Sequence, residues 1–257
     1  MMKFKILGCG SSMGVPRSDG DFGNCDPKEI RNYRTRCSAL IIGEKINILI
    51  DTSPDLRHQL LTNNIKNINY VLYSHMHADQ THGINDLRVF YLKNKKTIPV
   101  YADIPTSKYL QRNFTYCFKK THNKYPPILN LNKLKNKFML KDNKKKIFIN
   151  SIKVKHGKVN SICYIIDKKI AYISDVSEIK RNDFKYLKNL QYLIIDCLWY
   201  EYHPSHLNLE QSLNIIKVLR PKKAILTNLH SKLDYNLLKK DLPKNVIPAF
   251  DGLTLKL

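Results

Sequence analysis

The chain has 257 residues, with 44 lysines and arginines against 21 acidic residues, for a formal net charge of +23. Apolar residues make up 43%, enough for a buried core, which excludes an intrinsically disordered polymer despite the charge. No stretch approaches ~18 consecutive apolar residues, which excludes a membrane-spanning helix, and the opening run from Met1 to Gly8 lacks the apolar core of a signal peptide, so a cytoplasmic location is expected.

In chain order, β-branched and apolar runs predict strands at 3–7, 38–42 and 46–50, then an amphipathic helix at 54–63 and a strand at 70–74. A helical pattern at 85–94 and a strand at 98–101 follow, then a helix at 107–116. Further strands are expected at 147–154, 162–166, 169–174, 192–196, 223–227 and 246–249, with helices at 182–187, 209–219 and 233–240. Asn208 or Ser205 can cap the helix at 209–219, and Pro221 follows its end. Most of the strands are apolar throughout, as strands covered on both faces should be. Early hairpin-like strands followed by strand–helix alternation indicate a layered α/β sandwich. The segment 107–146 differs: it is rich in lysine, asparagine and aromatics, carries Pro126-Pro127, and lies in a stretch without glycine between Gly83 and Gly157. It is expected to be a basic, lid-like insertion over one end of a single domain spanning 1–257.

The positive charge is mostly lysine and is spread along the chain. Lysines that neutralise phosphates would favour a nucleic acid, and the same field steers a small anionic substrate. The six cysteines are scattered without a C-x-x-C pair, which argues against a zinc ribbon and a dense disulfide framework.

The most informative run is Ser74-His75-Met76-His77-Ala78-Asp79-Gln80-Thr81-His82-Gly83, delivered straight after an apolar strand. Imidazole and carboxylate are ligands of Zn²⁺ or Mn²⁺, and three histidines and an aspartate within eight residues are hard to assign to packing. His156, Asp175 and His230 each follow another apolar strand. Active sites of open sheets gather at such strand ends.

With these residues the sequence resembles the metallo-β-lactamase superfamily. The opening Leu7-Gly8-Cys9-Gly10-Ser11-Ser12-Met13-Gly14-Val15-Pro16, together with Arg34-Thr35-Arg36-Cys37-Ser38, Asp51-Thr52-Ser53-Pro54-Asp55 and Gly83-Ile84-Asn85-Asp86-Leu87-Arg88, is similar to its PhnP-like phosphoribosyl 1,2-cyclic phosphate phosphodiesterases. The resemblance runs from about residue 3 to 255. It implies an αββα sandwich, a four-layer α/β fold, with a metal site at the shared edge of two sheets. It further implies two divalent cations, Zn²⁺ or Mn²⁺: His75, His77 and His156 on the first, Asp79 and His230 on the second, and Asp175 bridging. Asp51 looks like the carboxylate that orients a ligating imidazole.

The sequence departs from the family pattern in several places. Gln80 stands where the superfamily has histidine, so either the second site is weak, with Gln80 as a hydrogen-bonding neighbour, or His82 swings in. Asn228 stands where relatives often show another histidine, and the loop 17–31 offers only Cys25, so no structural zinc is expected. His206, ahead of a helix, is the expected general acid, with Asp79 and Asp175 catalytic beside it. Ser11 and Ser12 are candidates to present a loop to phosphate. Arg36 and Arg88 are candidate phosphate clamps, since a guanidinium fork fits phosphate oxygens. His58 and His122 read as bystanders.

The expected activity is a metal-dependent phosphodiester hydrolase acting on a small anionic cyclic or diester phosphate, in which the oligomeric state, a homodimer included, stays open. Two alternatives remain: a tRNase Z-like RNA-processing nuclease using the basic segment as an arm, and a PqqB-like protein without phosphodiesterase activity. The arm lacks glycine, which ranks the nuclease second.

Overall fold

Neighbouring side chains of a strand face opposite ways, so an apolar run has to be covered on both sides. The computed structural model describes residues 2–120 and 126–257 and meets this demand with two sheets of seven strands each. The first contains β1 (Lys3–Gly8), β2 (Ser38–Ile42), β3 (Asn47–Ile50), β4 (Tyr70–Leu72), β5 (Ile98–Ala102) and β6 (Leu129–Lys133). The second contains β7 (Lys137–Asp142), β8 (Lys145–His156), β9 (Val159–Ile166), β10 (Ile170–Ile173), β11 (Tyr192–Asp196), β12 (Lys223–Thr227) and β13 (Val246–Pro248). The last strand, β14 (Thr254–Lys256), returns to pair antiparallel with β1.

The alternation is visible residue by residue. In β3, Ile48 and Ile50 enter the layer between the sheets with Phe4, Tyr164 and Tyr172, while Leu49 faces the opposite way. In β11, Ile194 joins that inner layer, and Leu193 and Ile195 point outward. Helices α1 (Leu56–Thr62), α3 (Arg88–Asn94), α4 (Ile104–Asn113) and α5 (Thr115–Phe118) cover the outer face of the first sheet through Leu56, Leu60, Phe90, Leu110 and Cys117; the single turn α2 (Ala78–Thr81) lies in the loop after β4. On the second sheet α6 (Phe184–Leu187), α7 (Leu209–Leu219) and α8 (Tyr235–Asp241) do the same through Leu187, Ile216, Leu219 and Leu238. The result is the expected αββα sandwich. Asn208 caps α7 in a reciprocal capping box with Gln211.

The described residues of 107–146 supply α4, α5 and the edge strands β6 and β7, and they bury Leu110, Cys117, Leu129 and Leu140. Their basic composition follows from edge strands being half solvated. β7 exposes Lys137 and Lys141, and lysine is a common guard against edge-to-edge pairing. Residues 121–125, with His122, lie outside the described residues.

Candidate metal centre

Parallel pairing brings chemistry to one edge. β3 pairs parallel with β4, and β10, β11 and β12 pair parallel in series. Their carboxyl ends deliver Asp51, His75, Asp175, Asp196 and Asn228. The loop after β4 is clamped to the end of β3: Ser74 N–H donates to Asp51 Oδ1 at 2.7 Å, Thr52 N–H to the Gln80 carbonyl at 2.8 Å, and Gly83 N–H to the Thr52 carbonyl at 2.9 Å. Gly83 permits this approach, because a Cβ there would sit 2.0 Å from the Ser53 carbonyl oxygen.

Three imidazoles converge. His75 Nε2 lies 3.0 Å from His77 Nδ1, and His156 Nε2 lies 3.3 Å from the same atom. The far side of each buried ring is engaged. His156 Nδ1 donates to the Ser205 carbonyl at 2.7 Å, which leaves its Nε2 as a lone pair. Ser74 Oγ sits 3.0 Å from His75 Nδ1. Burial pulls His75 down to about 3 and also lowers His77, so both are neutral near pH 7. Nitrogen ligands around tetrahedral Zn²⁺ at ~2.0 Å are separated by roughly 3.3 Å. Three imidazoles spaced this way fit a divalent cation. Gly157, at φ +59°, turns the chain after His156 and packs where a Cβ would lie 2.3 Å from Ser205 Oγ, which holds the β8–β9 turn against the loop carrying His206.

His156 also belongs to a second group with Asp175 and His206, whose donor atoms lie within 4.8 Å of one another. His206 Nδ1 donates to the fully buried Asp196 at 2.8 Å. Burial opposes a charge on His206, but the Asp196 carboxylate outweighs it and raises the pKa to about 9. Burial and the neighbouring Asp175 carboxylate push Asp79 up to about 6. Between these two acids lies the amide of Gln80, itself 0% exposed, with Nε2 3.1 Å from Asp79 Oδ2 and 3.4 Å from Asp175 Oδ2. Asn228 Nδ2 likewise donates to Asp196 Oδ1 at 3.1 Å.

His77, Asp79, His156, Asp175, His206 and Asn228 line a cavity of about 280 Å³ that also takes in Ser11, Ser12, Trp199 and His203. Ser11 Oγ is buried without a hydrogen-bond partner. Arg36 does not line this cavity. It pairs with Asp55 at 2.9 Å and donates Nε–H to the Ser12 carbonyl, so it shapes the loop instead of facing the histidines. Arg88 starts α3 and acts electrostatically on Tyr116 and Cys117, away from the cavity. His82 bonds the Tyr109 hydroxyl at 3.0 Å and packs edge-on against Phe114, so it does not swing into the centre. Asp51 orients the Ser74 N–H in front of His75 rather than an imidazole, and its Oδ2 is buried without a partner. His230 reaches the cavity wall but joins neither donor group: its Nδ1 accepts from Lys232 N–H at 3.2 Å. Of the residues assigned to a second cation, Asp79 and Asp175 meet at the Gln80 amide, while His230 stands apart on the cavity wall.

Sequence reasoning missed Asp196 and the Ser205 carbonyl. Asp196 carried a readable signal, a carboxylate ending an apolar strand, as Asp175 does one strand away. The Ser205 carbonyl is a backbone group and carried none.

Residues 46–228 match the family described as Beta-lactamase superfamily domain. A curated relative from Porphyromonas gingivalis strain W83, an octanoyltransferase, is 31% identical over 98% of this chain, and the chain spans about half (51%) of its length. A solved diphosphatase from the PhnP family is 27% identical with a TM-score of 0.90, over 100% of this chain and 98% of that one. Zn²⁺-bound PqqB from Methylobacterium extorquens shares the fold at 16% identity and a TM-score of 0.77, over 99% of this chain and 100% of its own. With its histidine centre at the shared edge of two sheets, the chain belongs to the metallo-β-lactamase superfamily.

Proposed function

We propose that the chain is a metal-dependent phosphodiesterase acting on a small cyclic or diester phosphate. The observation that carries this reading is the juxtaposition, at one small cavity lined by His77, His156 and His206, of the His75–His77–His156 imidazole cluster with a histidine held protonated by a buried aspartate. When bound, a divalent cation, Zn²⁺ or Mn²⁺, supplies positive charge toward phosphoryl oxygens and acidifies water. The chain's own residues do the rest. His75, His77 and His156 hold the cation with their rings aimed by Ser74 and Ser205. Asp175 and Asp79 stand beside them to take a proton from water. His206, fixed through Nδ1 by Asp196, has its other ring nitrogen available to protonate the departing alkoxide, which removes the cost of expelling a poor leaving group. The Ser11 hydroxyl, lacking a protein partner, suits a phosphoryl oxygen.

The cavity size favours a small substrate over RNA. No described residue of 107–146 lines it, which speaks against that basic segment as the part that holds substrate at this centre. The net charge of +23 then serves to attract an anion by its long-range field. Steady-state rates on a chromogenic phosphodiester, a nucleoside 2′,3′-cyclic phosphate, a dinucleoside diphosphate and a precursor tRNA test this reading. Turnover of the small diesters with none of the tRNA is expected. Cleavage of the tRNA alone would favour the nuclease, and turnover of the diphosphate alone would move the scissile bond to a phosphoanhydride.

A further inference from the structure

We infer that this centre is built for one divalent cation, with the Gln80 and Asn228 amides standing where a second would need ligands. The inference deepens the metal-dependent reading above and rests on it. A two-metal site places the cations ~3.5–4 Å apart with a carboxylate between them, so the second needs lone pairs converging beside Asp79 and Asp175. Among the described residues, His75, His77 and His156 form a group fit for a cation, and the other group, His156, Asp175 and His206, shares one of those imidazoles, so the two groups cannot each hold a cation with a full set of their own.

Around Asp79 and Asp175 the Gln80, Asn228 and His230 side chains turn hydrogens toward their neighbours, and the Gln80 Oε1 is buried without a hydrogen-bond partner. The Gln80 nitrogen lies between Asp79 Oδ2 and Asp175 Oδ2, at 3.1 and 3.4 Å. Chemistry fixes this orientation, because turning the amide over would set its carbonyl oxygen against carboxylate oxygens that only accept hydrogen bonds. The side chain is fully buried and has no room to swing out to solvent. Asn228, also buried and held at φ +63°, directs its nitrogen at Asp196 Oδ1. His230 uses Nδ1 to accept from Lys232 N–H, so a neutral ring carries its hydrogen on Nε2. A second cation would have to break these bonds and reorient buried amides, whereas the amide already ties the two carboxylates together as a neutral bridge.

The test is metal stoichiometry by elemental analysis and calorimetric titration. Chelator-stripped protein is loaded with Zn²⁺, and in parallel with Mn²⁺, and separated from unbound metal. The wild type is expected to bind one equivalent, and His77→Ala none. The double variant Gln80→His/Asn228→His, checked for folding by circular dichroism, is expected to bind two. Two equivalents on the wild type would overturn the inference. A folded double variant still holding one would overturn the role given to the two amides. One equivalent bound without hydrolysis of any phosphodiester would leave the inference standing and contradict the proposed function, whereas two equivalents with rapid hydrolysis would do the reverse.

Discussion

His156 carries two opposite duties on one ring. Its Nδ1 gives a hydrogen to the Ser205 carbonyl, and its Nε2 turns a lone pair toward His77. The residues of the cluster therefore act as a unit, and His77→Ala should remove the bound cation and reduce hydrolysis to background, read as metal content and rate on the same sample. His206→Asn should keep the cation and lower kcat by roughly 10²–10⁴, the range of a positioned general acid. The His206–Asp196 tie also has a pH signature in the metal-free protein. The folded-state pKa, about 9, lies above the ordinary histidine value, so the folded chain holds an extra proton between those limits. The stability from this pair is complete below about pH 6.5 and is lost as pH rises through about 9. Urea unfolding of metal-free protein across that window should show the decline in the wild type and a flatter profile for Asp196→Asn. Much of this chemistry was legible in the sequence: His75-x-His77-x-Asp79 announced itself by spacing. The role of His82 was not, since it lies three residues beyond Asp79 and the short α2 turns it toward Tyr109 and Phe114. The surroundings of Arg36 and Arg88 were not legible for a related reason: residue type suggested phosphate, but only tertiary packing shows that Arg36 meets Asp55 and that Arg88 acts on Tyr116 and Cys117.

At the scale of elements, the centre is as firm as the strand ends that carry it. Gly83 backs the His75–Asp79 loop onto β3, and a Cβ there would meet backbone at 2.0 Å from the Ser53 oxygen and 2.9 Å from the Leu56 Cβ. Gly83→Ala should cost about 1–3 kcal/mol as an overpacking change, measured by denaturant unfolding, and should weaken metal binding because the loop has to shift. The central strands were legible because both of their faces are apolar; the predicted runs 38–42, 192–196 and 223–227 coincide with β2, β11 and β12. β6, β7 and β14 were not, for a physical reason. An edge strand needs apolar residues on one face only, and β7 alternates Lys137, Met139 and Lys141 outward with Leu140 inward. Period-two signals over five or six residues are too short to separate from a loop when half the positions are lysine or asparagine.

At the scale of the whole molecule, two effects set how the centre is used. The surplus of positive charge should speed capture of an anionic substrate, so kcat/KM should fall as ionic strength rises and the Debye length shrinks from about 10 Å at 0.1 M to about 3 Å at 1 M. A kcat/KM for the chromogenic diester that is flat between low and high salt would remove steering from the picture. A cation that binds only the folded chain also stabilises it, by about 2.7 kcal/mol at a hundredfold excess over its dissociation constant. The central claim is that the histidine triad uses a bound cation to hydrolyse a small phosphodiester. The most direct measurement adds Mn²⁺ or Zn²⁺ stepwise to chelator-stripped protein and follows the hydrolysis of a chromogenic phosphodiester at each step. The rate should rise from background in proportion to added metal, level off near one equivalent, and stay at background throughout for His77→Ala. Equal rates in stripped and reloaded protein, or no hydrolysis after full reloading, would contradict the claim.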